Sequence, residues 1–210
     1  MADVFISYSR KDKTFVQSLH EALSARDRET WVDWEGIPPT AEWLQEIYGA
    51  IEAADTFIFI ISPDSVASDI CKREIAHAVE QHKRLVPIVH RKVDTNVVPE
   101  ALAALNWVFF HERDDFDNAV QTLITALDTD LDWVRRHTRL LVRAREWENK
   151  GQDKSLLLRG KDLHEAETWL AQATQKEPKP TTLQTEYIPA SRMATCSLLE
   201  GKIRSLGFGT

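Results

Sequence analysis

Cysteines and long apolar runs are scarce in this chain of 210 residues. Its two cysteines, Cys71 and Cys196, lie far apart and lack the CxxC spacing of a redox or metal site, as is typical of a reducing compartment. The apolar run from Phe57 to Ile61 is far shorter than the about 20 residues of a membrane-spanning helix. The N-terminus has no basic segment followed by a hydrophobic stretch. The sequence therefore predicts a cytoplasmic protein that has no membrane partner.

Several catalytic motifs are absent as well. The chain has no GxxxxGK[ST] loop, no GxGxxG after a strand, no HExxH and no GxSxG. P-loop triphosphatases, Rossmann dehydrogenases, zinc proteases and α/β-hydrolases are thereby excluded. His77 and His82 lie five residues apart and do not share the face of a helix that binds a metal. We therefore expect no metal site and no bound cofactor.

Charge is distributed unevenly along the chain. Residues 1–128 carry 22 acidic and 12 basic side chains, whereas residues 129–210 carry 11 acidic and 14 basic ones. A domain of ordinary size followed by a smaller module fits both this difference and the length. We predict a domain over 1–128, an α-helical hairpin or linker over 129–192 and a flexible tail over 193–210.

An arginine stripe lies in the C-terminal module. Arg135, Arg139 and Arg143 recur at a spacing of four residues, a pattern found in helices that bind polyanions. Glu146 and Glu148 dilute this charge, and the whole chain is acidic. We interpret the stripe as a solvated helix face and predict no nucleic-acid partner.

The first 128 residues alternate short β-branched or aromatic runs with segments of helical period, which is typical of an α/β fold with a parallel sheet. The middle run is apolar throughout, as expected for a strand covered on both faces. We predict a flavodoxin-like five-stranded parallel sheet of order 2-1-3-4-5. The predicted strands are Val4–Tyr8, Thr30–Asp33, Thr56–Ile61, Leu85–Val89 and Trp107–Phe110. The predicted helices lie near 12–25, 40–53, 69–82, 99–105 and 114–127, and further helices lie near 131–149, 160–175 and 182–192.

Polar or turn-forming segments follow the first three predicted strands. They are Ser7-Tyr8-Ser9-Arg10, the segment from Asp33 to Pro39, and Ser62-Pro63-Asp64. In open parallel sheets, ligands bind beyond the carboxyl ends of the strands, where the strand order reverses. We therefore expect the functional site at these three strand ends.

Three strings in this region resemble the Toll/interleukin-1 receptor (TIR) domain family over about residues 1–128. They are DVFISYSR at 3–10, DWEGIPP at 33–39, and SP at 62–63 followed by CKREI at 71–75. Two family activities are implied by the resemblance: self-assembly as a signalling adaptor, and cleavage of the nicotinamide–ribose bond of NAD. The expected partners are therefore NAD, as a substrate, and further copies of the same domain.

The resemblance assigns roles to single residues of the predicted pocket. Glu74 aligns with the catalytic glutamate of TIR enzymes. Tyr8 and Arg10 match pocket residues, where the arginine would face the pyrophosphate or simply be a loop charge. Asp33 would accept hydrogen bonds from ribose hydroxyls or merely open the following turn. Trp43 matches a stacking aromatic residue, although its helical spacing to Ile47 and Ile51 is equally typical of a core residue.

Residue 70 departs from the family pattern. TIR enzymes often have a tryptophan four residues before the glutamate, and here that pocket position is Ile70. The loss of the aromatic platform removes about 1 kcal/mol of ring interaction. We expect slower turnover, or turnover that depends more strongly on assembly.

The helical pattern around Glu74 predicts partial burial of its carboxylate. Cys71, Ile75, Ala78 and Val79 form the predicted apolar stripe, and Glu74 lies at its edge. A half-buried carboxylate costs free energy unless it has a function. One carboxylate is enough for the implied reaction, because nicotinamide leaves as a neutral ring and needs no acid, whereas ordinary glycosidases need two carboxyl groups.

The segment after the second strand resembles the family's BB loop, which packs against a neighbouring TIR domain. Glycine and two prolines give it a bent, stiff backbone, which is predicted to expose Trp34 and Ile37. An exposed apolar tip favours an interface over an ordinary turn. The predicted interface residues are Trp34, Glu35, Gly36, Ile37 and Pro38.

Two other functions remain open from the sequence. A non-enzymatic scaffold would use the same loop for contacts between copies and would have lost turnover with the change at residue 70. A response-regulator-like receiver would need an acidic cluster after the third strand, where the chain has Ser62-Pro63, with Asp64 as the nearest acid. The sequence favours an enzyme that hydrolyses or cyclises NAD through Glu74 once several copies assemble, and it leaves open whether the product is linear or cyclic.

Overall fold

A five-stranded parallel sheet forms the centre of the first part of the chain. The computed structural model describes residues 2–34, 40–111 and 114–206. The strand order is 2-1-3-4-5, as predicted. The strands are β1 (Val4–Ser7), β2 (Thr30–Trp31), β3 (Thr56–Ile61), β4 (Arg84–Val89) and β5 (Val108–Phe109). The α/β fold class and its topology are thus confirmed.

Helices connect the strands and cover both faces of the sheet. They are α1 (Lys13–Ser24), α2 (Ala41–Ala53), α3 (Pro63–Ala67), α4 (Asp69–Glu80), α5 (Glu100–Ala103) and α6 (Phe116–Asp128). Of these helices, α3 alone was not predicted from the sequence. Ser62 begins it as an N-cap, Pro63 occupies its first turn, and Ser62 and Ser65 form a capping box.

The core has two layers because neighbouring residues of a strand point to opposite faces of the sheet. All six residues of β3 are buried. Ile58 and Ile60 pack in a first cluster with side chains of α1 and α6. Phe57 and Phe59 pack in a second cluster with side chains of α2 and α4. This double cover explains the apolar run that marked the central strand.

Two compact units divide the chain, Met1–Val134 and Arg135–Thr210. The boundary lies six residues beyond the predicted end of the first domain at residue 128. It falls inside helix α7 (Leu131–Asn149), which begins before the first unit ends. A charge difference along a sequence marks such a boundary only approximately, because a helix can continue across it.

The second unit consists of helices joined by short turns. α7 ends before Gly151, whose φ of 65° lies in the left-handed region that glycine adopts readily. α8 (Gly160–Ala171) and α9 (Thr182–Leu206) follow. Trp169 and Tyr187 are among its largest fully buried side chains.

Residues 193–206, expected as part of a flexible tail, instead continue α9. The Thr195 hydroxyl donates to the carbonyl of Ser191 at 3.0 Å, and the Ser197 hydroxyl donates to that of Met193 at 3.1 Å. These bonds satisfy the hydroxyl groups within the helix, so short polar side chains do not end it here. In the described part of the chain, no helix combines the length and apolar character that crossing a membrane requires.

Candidate active site

A cavity of about 340 Å³ lies beyond the carboxyl ends of β1 and β2. Its size falls within the range of small-molecule sites. The apolar part of its wall comes from β1, β2, α2 and α4, and its polar part comes from the loops after β1 and β2 and from α4. The lining residues are Phe5, Ile6, Tyr8, Ser9, Arg10, Lys11, Trp31, Asp33, Trp43, Ser68, Ile70, Cys71 and Glu74.

The structure brings the predicted catalytic residue and all five predicted substrate-binding residues to this cavity. Tyr8 and Arg10 follow β1, Asp33 follows β2, Trp43 lies in the first turn of α2, and both Ile70 and Glu74 belong to α4. The parallel sheet causes this meeting, because parallel strands end at the same edge. The roles of the six residues stay predictions.

Glu74 is the buried carboxyl of the cavity. The residue is only 7% exposed, and its Oε2 accepts a hydrogen bond from the hydroxyl of Ser7 at 2.5 Å. Burial raises the pKa of Glu74 to about 7, the Ser7 hydrogen bond lowers it, and the charge of Asp33 raises it. Burial dominates because the anion loses its hydration. Glu74 therefore changes its charge near neutral pH.

Tyr8 and Cys71 are neutral neighbours of Glu74. The Tyr8 hydroxyl donates to the carbonyl of Asp33 at 2.9 Å, and burial, followed by the charge of Asp33, raises the pKa of Tyr8 to about 12. The Cys71 thiol donates to the carbonyl of Tyr8 at 3.5 Å. Burial, followed by the charge of Glu74, raises the pKa of Cys71 to about 11. Both groups stay protonated at neutral pH, so Cys71 is a poor nucleophile.

A charged network supports the loop that carries Arg10 and Lys11. Lys11 Nζ lies 2.6 Å from Asp64 Oδ1, and Arg91 Nη2 lies 2.6 Å from Asp64 Oδ2. Arg91 also binds Asp12, whose other oxygen accepts from the Ser62 hydroxyl at 2.5 Å. The network ties the loop after β1 to the residues that follow β3 and β4. It therefore fixes the backbone on the charged side of the cavity.

The model of the TIR domain family matches residues 4–124. The chain belongs to the TIR domain family. No curated protein matches the sequence significantly.

Solved structures of TIR domains are similar to this one. The TIR domain of the Toll-related receptor TRR-2 from Hydra magnipapillata is 22% identical, with a TM-score of 0.50 over 60% of this chain and 98% of that chain. A TIR-STING receptor from C. gigas, in complex with 2′,3′-cGAMP, is 24% identical, with a TM-score of 0.49 over 60% of this chain and 39% of that chain. At 22% identity, the similarity to the Hydra domain shows the fold alone.

Two lining residues of this TIR domain raised questions in the sequence: Trp43 had two interpretations, and Ile70 departs from the family pattern. Trp43 is a member of the second core cluster and also lines the cavity, so its place in the core is observed and its stacking on a ligand stays a prediction. Ile70 is half-buried and lines the cavity one turn before Glu74. The aromatic rings that line the cavity are those of Phe5, Tyr8, Trp31 and Trp43, and Trp31 stacks on Phe5 with ring centroids 4.8 Å apart.

The predicted interface loop is described only at its first residue. Trp34 is half-buried, and its ring lies 6.2 Å from that of Tyr8 and 5.6 Å from that of His20. It thus packs on the domain's own side chains, contrary to the expectation of an exposed ring. Glu35, Gly36, Ile37 and Pro38 lie outside the described residues, and their interface role stays a prediction.

Roles for Ser7, Trp31 and Lys11 in the site were not predicted from the sequence. The sequence did hold a signal for Ser7, because a serine two residues after Phe5 in a strand is a polar residue at a core-facing position.

One predicted member of the apolar stripe of α4, Val79, is 41% exposed. In the described part of the chain, no three His, Cys, Asp or Glu side chains are grouped as metal ligands.

Proposed function

We propose that this TIR domain cleaves the nicotinamide–ribose bond of NAD through Glu74. The burial of Glu74 at the wall of a cavity lined by aromatic and cationic side chains carries the proposal. A carboxylate held in such a place has lost much of its hydration, so it interacts strongly with a developing positive charge. The family contains members with this activity, and the aligned glutamate is the residue that they use.

The reaction breaks the bond between the ribose anomeric carbon and the nicotinamide nitrogen. The electron pair of that bond leaves with the nicotinamide, which departs as a neutral ring. The Glu74 carboxylate stabilises the oxocarbenium-like ribose that remains. Addition of water to the anomeric carbon, with loss of a proton, gives ADP-ribose, whereas addition of a nitrogen of the adenine gives a cyclic product.

The other lining residues bind the rest of the substrate. Trp31 and Trp43 offer aromatic surface to a planar base. Arg10 is exposed at the cavity, where its guanidinium would pair with the pyrophosphate. Asp33 accepts hydrogen bonds from ribose hydroxyls. Assembly of several copies through the loop that follows Trp34 raises the activity, so the specific rate increases with protein concentration.

Nicotinamide release from NAD by concentrated protein tests the proposal. Wild type is compared with Glu74→Gln and with Glu80→Gln, the same substitution at an exposed position of the same helix. We expect release by wild type and Glu80→Gln and at least a hundredfold lower rate for Glu74→Gln, the usual effect of losing a main electrostatic group. Equal rates for the wild type and Glu74→Gln would contradict the role of Glu74.

A non-enzymatic scaffold is the alternative outcome. The observation that favours it is Ile70, which lines the cavity where TIR enzymes often have a tryptophan. Light scattering at the assay concentration shows whether the protein has assembled. Assembled wild-type protein that releases no nicotinamide would contradict the enzymatic proposal and support the scaffold.

A further inference from the structure

Ser7 is a polar residue at an apolar position of the sheet. It is the last residue of β1, and it lies two residues after Phe5, which packs in the second core cluster. Side chains two residues apart in a strand share a face. Ser7 is fully buried, and a buried hydroxyl costs free energy unless it is hydrogen-bonded. Its hydroxyl donates to Oε2 of Glu74 at 2.5 Å.

We propose that Ser7 is a positioning residue for Glu74. Its hydroxyl engages Oε2, restricts the rotation of the carboxylate and so directs Oε1 towards the sugar of the substrate. The same hydrogen bond stabilises the ionised form of Glu74 in a buried place. The proposal rests on the proposed function, because it takes Glu74 as the catalytic group.

The surroundings of Glu74 otherwise oppose its ionisation. Burial and the charge of Asp33, at the end of β2, both raise its pKa, and the Ser7 hydrogen bond lowers it. Tyr8, after β1, and Cys71, one turn earlier in α4, are neutral at pH 7, and burial raises their pKa values further, to about 12 and about 11. The Ser7 hydroxyl therefore counteracts the burial of the anion.

Two cations line the same cavity but are engaged elsewhere or face solvent. Lys11 pairs with Asp64 at 2.6 Å, and its side chain is 74% exposed. Arg10 is exposed. Charges in such positions are screened by water and contribute little to a buried group. A neutral hydroxyl in direct contact is the stronger influence because a hydrogen bond to a buried anion is not screened.

Direct titration of Glu74 by carbon-13 NMR of its carboxyl group tests the proposal without substrate. Wild type, Ser7→Ala and Ser7→Cys are compared, and Glu74→Gln assigns the signal. Loss of the hydroxyl is expected to raise the pKa of Glu74 by about 1 to 2 units. Ser7→Cys keeps a weak donor in a similar shape and is expected to give a smaller rise. This second variant keeps the test decisive if Ser7→Ala does not fold.

A matched control is available at the end of β3. Ser62 is also fully buried, and its hydroxyl donates to a carboxylate, that of Asp12, at 2.5 Å. Ser62→Ala therefore removes a hydrogen bond of the same kind at the end of another strand, together with the capping box of α3. It is expected to lower the melting temperature and to leave the titration of Glu74 within about 0.3 units, because it leaves the hydroxyl of Ser7 in contact with Glu74.

The pH profile of kcat/KM for nicotinamide release gives the second readout. For Ser7→Ala we expect the midpoint to move upward with the pKa, so that the loss of rate is largest at pH 7 and smaller at pH 9. If Ser7 is merely structural, Ser7→Ala will lower the melting temperature but change neither the pKa of Glu74 nor the pH profile of kcat/KM. That result would overturn the proposal. A wild type whose Glu74 titrates as expected but which releases no nicotinamide would overturn the proposed function, and not the contact between Ser7 and Glu74.

Discussion

The guanidinium of Arg91 makes two hydrogen bonds to the same oxygen of Asp12, Nε at 2.9 Å and Nη2 at 2.6 Å from Oδ1. Arg91 follows β4, and Asp12 lies in the short turn between β1 and α1. The side chain of Asp12 is 1% exposed, so this carboxylate depends on Arg91 and on the hydroxyl of Ser62 for its hydrogen bonds. The contact joins β4 to the loop that carries Arg10 and Lys11.

Removal of Arg91 should therefore destabilise the fold. We expect Arg91→Met to lower the free energy of unfolding by about 2 to 3 kcal/mol, because it leaves a buried carboxylate without its cation. Arg26→Met is the matched control. The side chain of Arg26 is 34% exposed, close to the 37% of Arg91, but its partner Asp117 is 88% exposed. Urea unfolding measures both variants. Equal losses for the two would contradict the importance of the buried partner.

Glu74 should lower the stability of the protein above neutral pH. Its pKa in the folded protein, about 7, exceeds the ordinary 4.5. The folded state therefore binds more protons than the unfolded state between these values, and stability falls as the pH rises through this window. Glu74→Gln removes the effect and should raise the free energy of unfolding by about 3 kcal/mol at pH 8, with little change near pH 4.5.

Urea unfolding of wild type, Glu74→Gln and Glu80→Gln at both pH values checks this prediction. Glu80 lies on the exposed face of the same helix and should behave like the wild type at both. A Glu74→Gln variant that is less stable than the wild type at pH 8 would contradict the prediction. It would show that the ionised Glu74 side chain stabilises the folded protein.

The rate of NAD cleavage should rise with pH. The proposed mechanism needs Glu74 as an anion, and burial places its pKa at about 7. Between pH 6 and pH 8 we expect kcat/KM to increase about tenfold, with a plateau above that range, because this parameter reports the ionisation of the free enzyme. A rate that falls over the same interval would mean that the protonated form of Glu74 is the active one.

A tryptophan at position 70 should improve substrate binding. Ile70 is half-buried and lines the cavity one turn before Glu74. We expect Ile70→Trp to increase kcat/KM roughly fivefold, which corresponds to about 1 kcal/mol of ring interaction. Ile70→Leu controls for a simple change of shape. If the two variants cleave NAD at the same rate, an aromatic ring at this position has no part in recognition.

The main features of the sheet could be predicted because they depend on local patterns. The apolar run 56–61 predicts a strand covered on both faces, and Thr56–Ile61 is the observed β3. The polar segments after β1 and β2 predict the place of the cavity, since parallel strands end at one edge. The apolar spacing in α4 predicts the burial of Glu74, although Val79, assigned to the same stripe, is 41% exposed.

Contacts between distant residues could not be predicted in the same way. Nothing local in the sequence pairs Ser7 with Glu74 or Arg91 with Asp12, because such pairs depend on how the sheet and helices pack. The half-buried position of Trp34 has the same cause, since its neighbours Tyr8 and His20 belong to other elements. Continuation of α9 beyond residue 193 was missed because its apolar periodicity is weak there.

The sequence by itself determined the parallel α/β architecture, the strand order, the membership of the TIR domain family and the side chains that follow the strands. The spacing of apolar residues and the sequence motifs depend on residues close together in the chain, so both can be identified from the sequence alone. Only the tertiary structure decided how Glu74 is surrounded. Its burial, its hydrogen bond from Ser7 and its nearness to Asp33 set its charge, because desolvation and short-range electrostatics depend on distances between groups far apart in the chain.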